Sequence, residues 1–145
     1  MAAAINFRPA MLEDIPHIID ALAQAKVMGN LAPAFYFRWV IEEGIALVAE
    51  EQQQKAESER SKKIAGFLIA EKNDKIAYAQ LIYLFVHPLS RKKGTGSALM
   101  EHFLEICRKQ GVKYIDLHAQ QDAARFYRKL GFLPEGEFVT MYKEI

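Results

Sequence analysis

Cysteine occurs once in this 145-residue chain, at Cys107, so no disulfide forms within it and a reactive thiol would have no partner that the sequence names. No apolar run approaches the roughly 18 residues of a membrane span, and no basic-then-apolar leader opens the chain. Neither a membrane segment nor a secretory signal is expected, and a cytoplasmic location follows by default. Charge of one sign is missing too. Nineteen Lys and Arg against 18 Asp and Glu leave a formal net charge of +1, without the broad cationic face of a general nucleic-acid binder. No internal repeat or domain linker interrupts the chain. Its length suits one domain that buries roughly two-thirds of its unfolded surface.

Anion binding must therefore come from local clusters, and one lies within residues 81–111. The apolar run LIYLFV is followed by His87-Pro88, by Arg91-Lys92-Lys93-Gly94-Thr95-Gly96-Ser97, and by an amphipathic segment. This pattern reads as a strand, a basic glycine loop and a helix. Leu99, Met100, Phe103, Ile106 and Cys107 recur at three- and four-residue spacing, Glu101, His102, Glu105, Arg108 and Lys109 take the other face, and Gly111 is the stop. Cys107 thus reads as a packing residue. A helix start leaves about four N–H groups without intrahelical partners and carries roughly half a positive charge, which suits an anion. Gly94 and Gly96 bring no Cβ to obstruct it, and Arg91, Lys92 and Lys93 add cations. A Walker loop is absent, and Leu99 stands where a dinucleotide fingerprint wants a small residue. The competing reading is a basic turn that only caps a helix.

Around this stretch, Ile5 to Arg8 alternates as a short strand ended by Pro9. Leu12, Ile15, Ile18, Ile19 and Leu22 mark one face of a helix over residues 11–25, with Pro16 in its first turn. A second helix over 33–43, closed by Gly44, carries Phe35, Tyr36, Phe37 and Trp39. Spacing i, i+4 groups Phe35 with Trp39 and Tyr36 with Val40, leaving Phe37 and Arg38 pointing elsewhere. These rings read as core plus one interfacial ring, or as the wall of an acceptor pocket in which Arg38 attracts an anionic group. Residues 45–49 and 64–70 are apolar strands. The polar run EEQQQKAESERSKK between them buries too little for ordered packing and is expected to be a mobile hairpin loop at about 50–63. Residues 76–86 form the central strand, 114–119 a fifth strand, 121–130 a helix stopped by Gly131, and 138–143 an alternating terminal strand after the short Phe132-Leu133. The element order implies a mixed α/β sheet in a single domain, residues 1–145.

Two of these segments resemble one family. The order strand, Val86-His87-Pro88, then R-x-x-G-x-G from Arg91, then helix resembles the coenzyme A pyrophosphate loop of the GNAT superfamily of acetyl-CoA-dependent N-acetyltransferases. Gln120-x-x-Ala123-x-x-x-Tyr127-x-Lys129-x-Gly131-Phe132 resembles that family's N-x-x-A-x-x-x-Y-x-x-x-G-F signature, departing at Gln120, where the family usually has Asn. The resemblance covers about residues 76–134 by motif and most of the chain by element order. It implies an α/β (α+β), GNAT-like fold: a mixed, mostly antiparallel central sheet of six or seven strands flanked by about four helices.

The resemblance also implies a reaction. Acetyl-CoA is the acyl donor, no metal takes part, and a neutral amine attacks the thioester directly. The Phe85 and Val86 backbone pairs with pantetheine where two strands splay, residues 91–97 (Arg91, Lys92, Lys93, Gly94, Thr95, Gly96, Ser97) hold the pyrophosphate, and Gln120, Ala123, Tyr127 and Lys129 complete the donor site. An N–H near Val86 stabilises the oxyanion and Tyr127, a phenol with reference pKa near 10, protonates the departing thiolate. Where some members carry a Glu as base this chain has Gln80, which cannot accept a proton, so a water chain or His118, and after them Tyr83 and Glu50, are the candidates. The acceptor, a small-molecule or peptide amine, is shaped by residues 26–38 and 134–142. Gln80 also motivates an alternative, a non-catalytic acyl-CoA-binding or regulatory module. No nucleic-acid or membrane partner is expected, and a homodimer is left open.

Overall fold

Apolar runs and alternation become one sheet in the computed structural model, which describes residues 4–25, 33–52, 63–136, 139 and 141–145. Its strands, in both chain and spatial order, are β1 (Ile5–Pro9), β2 (Ile45–Glu51), β3 (Lys63–Asn73), β4 (Tyr78–Val86) and β5 (Tyr114–Leu117). The first four run antiparallel to their neighbours, and β5 joins β4 in parallel. Helices α1 (Ile15–Gln24) and α2 (Ala34–Glu43) precede β2, α3 (Thr95–Lys109) connects β4 to β5, and α4 (Ala124–Lys129) follows β5.

The sheet is covered on both faces, which is why Ala65 to Ala70 of β3 are all buried without alternation. Ile18 and Leu22 of α1 and Phe37 and Val40 of α2 pack on Val48, Phe67 and Ile69. Leu99, Met100, Phe103 and Cys107 of α3 pack on Leu47, Leu68 and Leu81 on the other side. Leu84, Phe126, Tyr127, Leu130 and Phe132 join that second cluster.

Several expectations need correction. The described residues contain five strands, not six or seven. Phe132-Leu133 forms no strand, and neither do residues 139 and 141–145; Val139, Met141 and Tyr142 stand exposed. Alternation marks a strand only where a neighbouring edge accepts its hydrogen bonds, and no described strand pairs with these residues. On α2 the aromatic assignment inverts. Phe37 is fully buried, whereas Phe35 is 75% and Trp39 45% exposed, because the sheet-facing stripe runs through Phe37 and Val40. Glu50 and Glu51 belong to β2 and Lys63 to β3; of the rest of the expected hairpin loop Gln52 follows β2 outside any strand, and residues 53–62 lie outside the described residues. The first helix opens with a 3-10 turn (Leu12–Asp14), and the fourth begins only at Ala124.

Two features of β4 place the site. Ile69 pairs with Tyr83 but Ala70 with Leu81, so Ile82 is an extra residue and the strand bulges there. Leu81 and Leu84 therefore face α3, while Ile82, Tyr83 and Phe85 face the α1–α2 layer. Pairing with β5 also ends at Leu81–Leu117, so residues 82–86 run on with one free edge. Gly66 lets β3 approach this stretch: a Cβ there would meet the Phe85 carbonyl oxygen at 2.6 Å and Leu99 Cδ1 at 3.3 Å. Gly66→Ala is expected to cost about 2 kcal/mol by overpacking, read as a lower urea midpoint. An unchanged midpoint would show that the strand yields freely.

Candidate active site

The free edge of β4 faces a cavity of about 540 Å³ between the start of α3 and one side of α4. The chain reaches α3 by a tight route. His87 Nδ1 accepts the Leu89 N–H at 3.2 Å and the His87 carbonyl accepts the Ser90 N–H at 2.8 Å, which curls the segment Pro88–Ser90 into a 3-10 turn. Lys92 (φ 62°) and Gly94 (φ 81°) then adopt left-handed backbone, strained for the lysine and free for the glycine that caps α3. The Ala98 N–H donates to the Gly94 carbonyl at 2.9 Å, so the N–H groups of Thr95, Gly96 and Ser97, one turn earlier, have no helical acceptor.

Thr95 adds a second unused group. The residue is 2% exposed, lines the cavity, and its Oγ1 is a buried side-chain oxygen with no hydrogen-bond partner among the described residues. An orphaned hydroxyl beside orphaned amides, at the positive end of a 15-residue helix, fits a phosphate better than it fits the empty turn. A Cβ on Gly96 would point at Val86 Cγ2 (3.4 Å) and Phe126 Cζ (3.8 Å), both on the cavity wall, so glycine keeps the cradle open.

On the strand side, ladder alternation decides which backbone groups are free. The His87 N–H donates to Ala65 O at 2.7 Å, and the Phe85 carbonyl points at Gly66 on β3, so the outward pairs belong to Leu84 and Val86. Phe85 lines the cavity, yet its own amide group is directed to the sheet. The Val86 carbonyl accepts Arg91 Nε at 3.1 Å, so this cation folds back over the strand edge.

Tyr127 closes the far side. It sits on α4 with its ring edge-on to Phe126 (centroids 5.0 Å) and Phe132 (6.0 Å), and burial pushes its pKa above the ordinary phenol value. The hydroxyl therefore stays protonated across neutral pH.

Of the residues anticipated for donor binding, Phe85, Val86, Arg91, Lys92, Gly94, Thr95, Gly96, Ser97, Ala123 and Tyr127 line this one cavity. Lys93, Gln120 and Lys129 are exposed outside its lining, and so is His118, one residue beyond β5. Leu84, Ser90 and Phe126 line it without having been anticipated. Leu84 was readable as the residue two before Val86 on an alternating strand; Ser90 and Phe126 carry no such signal. Cys107 is 2% exposed in the core, and burial raises its thiol to a pKa of about 11, as befits a packing residue.

A family model described as "Acetyltransferase (GNAT) domain" matches residues 42–134. Similar solved structures include Ard1 from Thermoplasma volcanium, 23% identical with a TM-score of 0.70 over 90% of this chain and 83% of that one. Ribosomal-protein-alanine N-acetyltransferase from Brucella melitensis biovar Abortus 2308 is 18% identical, with a TM-score of 0.71 over 97% of this chain and 99% of that one. Glucosamine-6-phosphate N-acetyltransferase from Arabidopsis thaliana is 19% identical, with the same TM-score and coverage. At such identities the likeness to these structures is one of fold.

Proposed function

Because this chain belongs to the GNAT family of acetyltransferases, we propose that it transfers the acetyl group of acetyl-CoA to a primary amine of a small molecule or peptide, by direct attack in a ternary complex. The observation that carries this reading is the single cavity that joins the unused hydroxyl of Thr95, the first amides of α3, the free edge of β4 and the phenol of Tyr127. Two of the structural neighbours bear names with a protein and an amino-sugar acceptor, so the fold accommodates both acceptor classes.

Each part of the cavity has its own task. The amides of residues 95–97, the Thr95 hydroxyl and Lys92 hold the donor's diphosphate; Arg91 joins them once it releases the Val86 carbonyl. The outward groups of Leu84 and Val86 take up the amides of the pantetheine chain as an added strand would. We assign an N–H near Val86 to the oxyanion that forms as the amine attacks, and Tyr127 gives its proton to the departing sulfur.

Calorimetric titration with acetyl-CoA and with S-acetyl-pantetheine, which lacks the nucleotide and both bridging phosphates, tests the seat. Two charge-assisted hydrogen bonds lost correspond to at least about a hundredfold in Kd, so the truncated donor is expected to bind that much more weakly. Equal, negligible binding of both would overturn the proposal.

A further inference from the structure

One side chain, that of Arg91, stands between the amides at the start of α3 and the free edge of β4, and it touches the second of these. We propose that Arg91 selects the donor: its guanidinium keeps the Val86 carbonyl from an incoming amide until it can turn to a diphosphate, so that a thioester without one meets a blocked strand edge. The inference rests on the transfer reading above and adds to it a specificity device that couples the two halves of the donor site.

Ladder geometry shows what Arg91 blocks. The His87 N–H donates to Ala65 O at 2.7 Å, and bonded pairs alternate along an antiparallel ladder, so Val86, opposite Gly66, turns both of its backbone groups away from β3. Strand β5 does not reach them, because its pairing with β4 ends at Leu81. The Val86 carbonyl instead accepts Arg91 Nε at 3.1 Å. The amide of an added strand would approach the same oxygen to about 2.9 Å, so the guanidinium takes the place of that amide.

The same residue is free to leave. Its backbone is fixed at the end of the 3-10 turn Pro88–Ser90, where the Arg91 N–H faces the Pro88 carbonyl at 3.4 Å, but the residue is exposed. Among the described residues the guanidinium has no carboxylate within ion-pair distance. It is thus a full charge held by a neutral oxygen. The better site lies in the same cavity, where a phosphate on the first amides of α3 and the unused Thr95 hydroxyl would offer anionic oxygens. Hydrogen bonds between two charged groups are about twice as strong as the neutral kind, so Arg91 leaves the carbonyl for the phosphate and not for any part of pantetheine.

Two ligands that depend on the position of one side chain are coupled, and the coupling is reciprocal. Calorimetry with acetyl-CoA, S-acetyl-pantetheine and inorganic pyrophosphate therefore tests the inference, on the wild type and on Arg91→Met, which keeps an aliphatic stem but neither the charge nor the donor. One bond made by a charged group is worth about tenfold in Kd. The variant is expected to bind S-acetyl-pantetheine about tenfold more tightly than the wild type, and acetyl-CoA about tenfold more weakly, because the stronger bond to phosphate is lost along with the weaker one to the carbonyl. The two shifts are opposite in sign. Saturating pyrophosphate is expected to tighten S-acetyl-pantetheine about tenfold in the wild type and to leave it unchanged in the variant. Arg91→Ala should reproduce both results, which covers the case in which the methionine itself lies over the edge.

If acetyl-CoA binds the wild type, but both variants bind S-acetyl-pantetheine no more tightly than the wild type does, Arg91 merely ties its loop to the strand and the inference is overturned while the transfer reading stands. The absence of any effect of pyrophosphate on the wild type has the same meaning. Wild-type protein that binds neither acetyl-CoA nor pyrophosphate overturns the transfer reading, and this inference with it.

Discussion

Tyr127→Phe is expected to lower kcat by about a hundredfold, or more, while the Kd of acetyl-CoA and the melting temperature barely move. The variant removes one hydroxyl and keeps the ring, and the ring makes the edge-on contacts with Phe126 and Phe132. What is lost, on the proposed reading, is the proton donor for the departing sulfur, a hydroxyl on a residue that lines the cavity. Burial raises the Tyr127 pKa, so in the wild type the acid form persists to a higher pH than an exposed tyrosine would allow. The alkaline decline of kcat should thus begin above pH 10 in the wild type, and this ionisation should vanish from the variant's profile. Turnover equal to wild type across the pH range would remove Tyr127 from the chemistry, leaving it as a packing residue of α4.

How much of this was legible before any coordinates can be judged residue by residue. The start and stop of α3 and the left-handed glycine cap before it at Gly94 followed from local rules, whereas Tyr127, which lines the same cavity as Gly94 to Ser97, was singled out only by the resemblance. Glycines, caps and three-four periodicity act within one or two turns of chain. Likewise Gly131 closes α4, where the Phe132 N–H returns to the Tyr127 carbonyl at 3.1 Å. Phe85 shows where such rules stop. It was read as pairing with the donor, yet its carbonyl faces Gly66, because which residue of a strand turns outward depends on the pairing partner. The bulge at Ile82 was equally hidden, being a property of two strands in register.

The strand count and the aromatic helix fail for a related reason. Of the alternating strand expected over residues 138–143, the described residues 139 and 141–143 join no strand, because alternation states a preference and only a bonded edge satisfies it; residues 138 and 140 lie outside the described residues. Four large rings within five residues of α2 offer several apolar stripes at once, and the sheet surface selected the one through Phe37.

Arg8→Ala is expected to cost about 4 kcal/mol at neutral pH, the largest stability loss anticipated for a single substitution outside the apolar core. Arg8 lies on β1 with its side chain 15% exposed and binds two carboxylates. Nη1 and Nη2 form a fork on Asp14 at 2.8 and 2.9 Å, and Nε donates to Glu50 at 2.6 Å. The side chains of Asp14 and Glu50 are only 6% and 12% exposed, so truncating the cation strands two buried anions. The arrangement also joins three elements, since Asp14 accepts the Met11 N–H at 2.7 Å at the start of the first helical layer and Glu50 belongs to β2. For a domain of this size the cost corresponds to roughly 10 °C in Tm. Its pH dependence separates this mechanism from loss of packing. Burial works against the Asp14 carboxylate, but Arg8 and the Met11 amide outweigh it and hold its pKa below the ordinary 3.8. A carboxyl with a depressed folded pKa contributes stability above its unfolded value and loses it as pH falls through the folded one, so the wild type should weaken below about pH 4. Without Arg8 only the Met11 amide and the charge of His17 oppose the burial cost, so the same pKa rises and the variant relieves its strain by taking up a proton. The gap between the two proteins should accordingly be widest near pH 7 and narrow steadily toward pH 4 in urea unfolding. A gap independent of pH would assign the loss to the missing aliphatic stem of Arg8 instead.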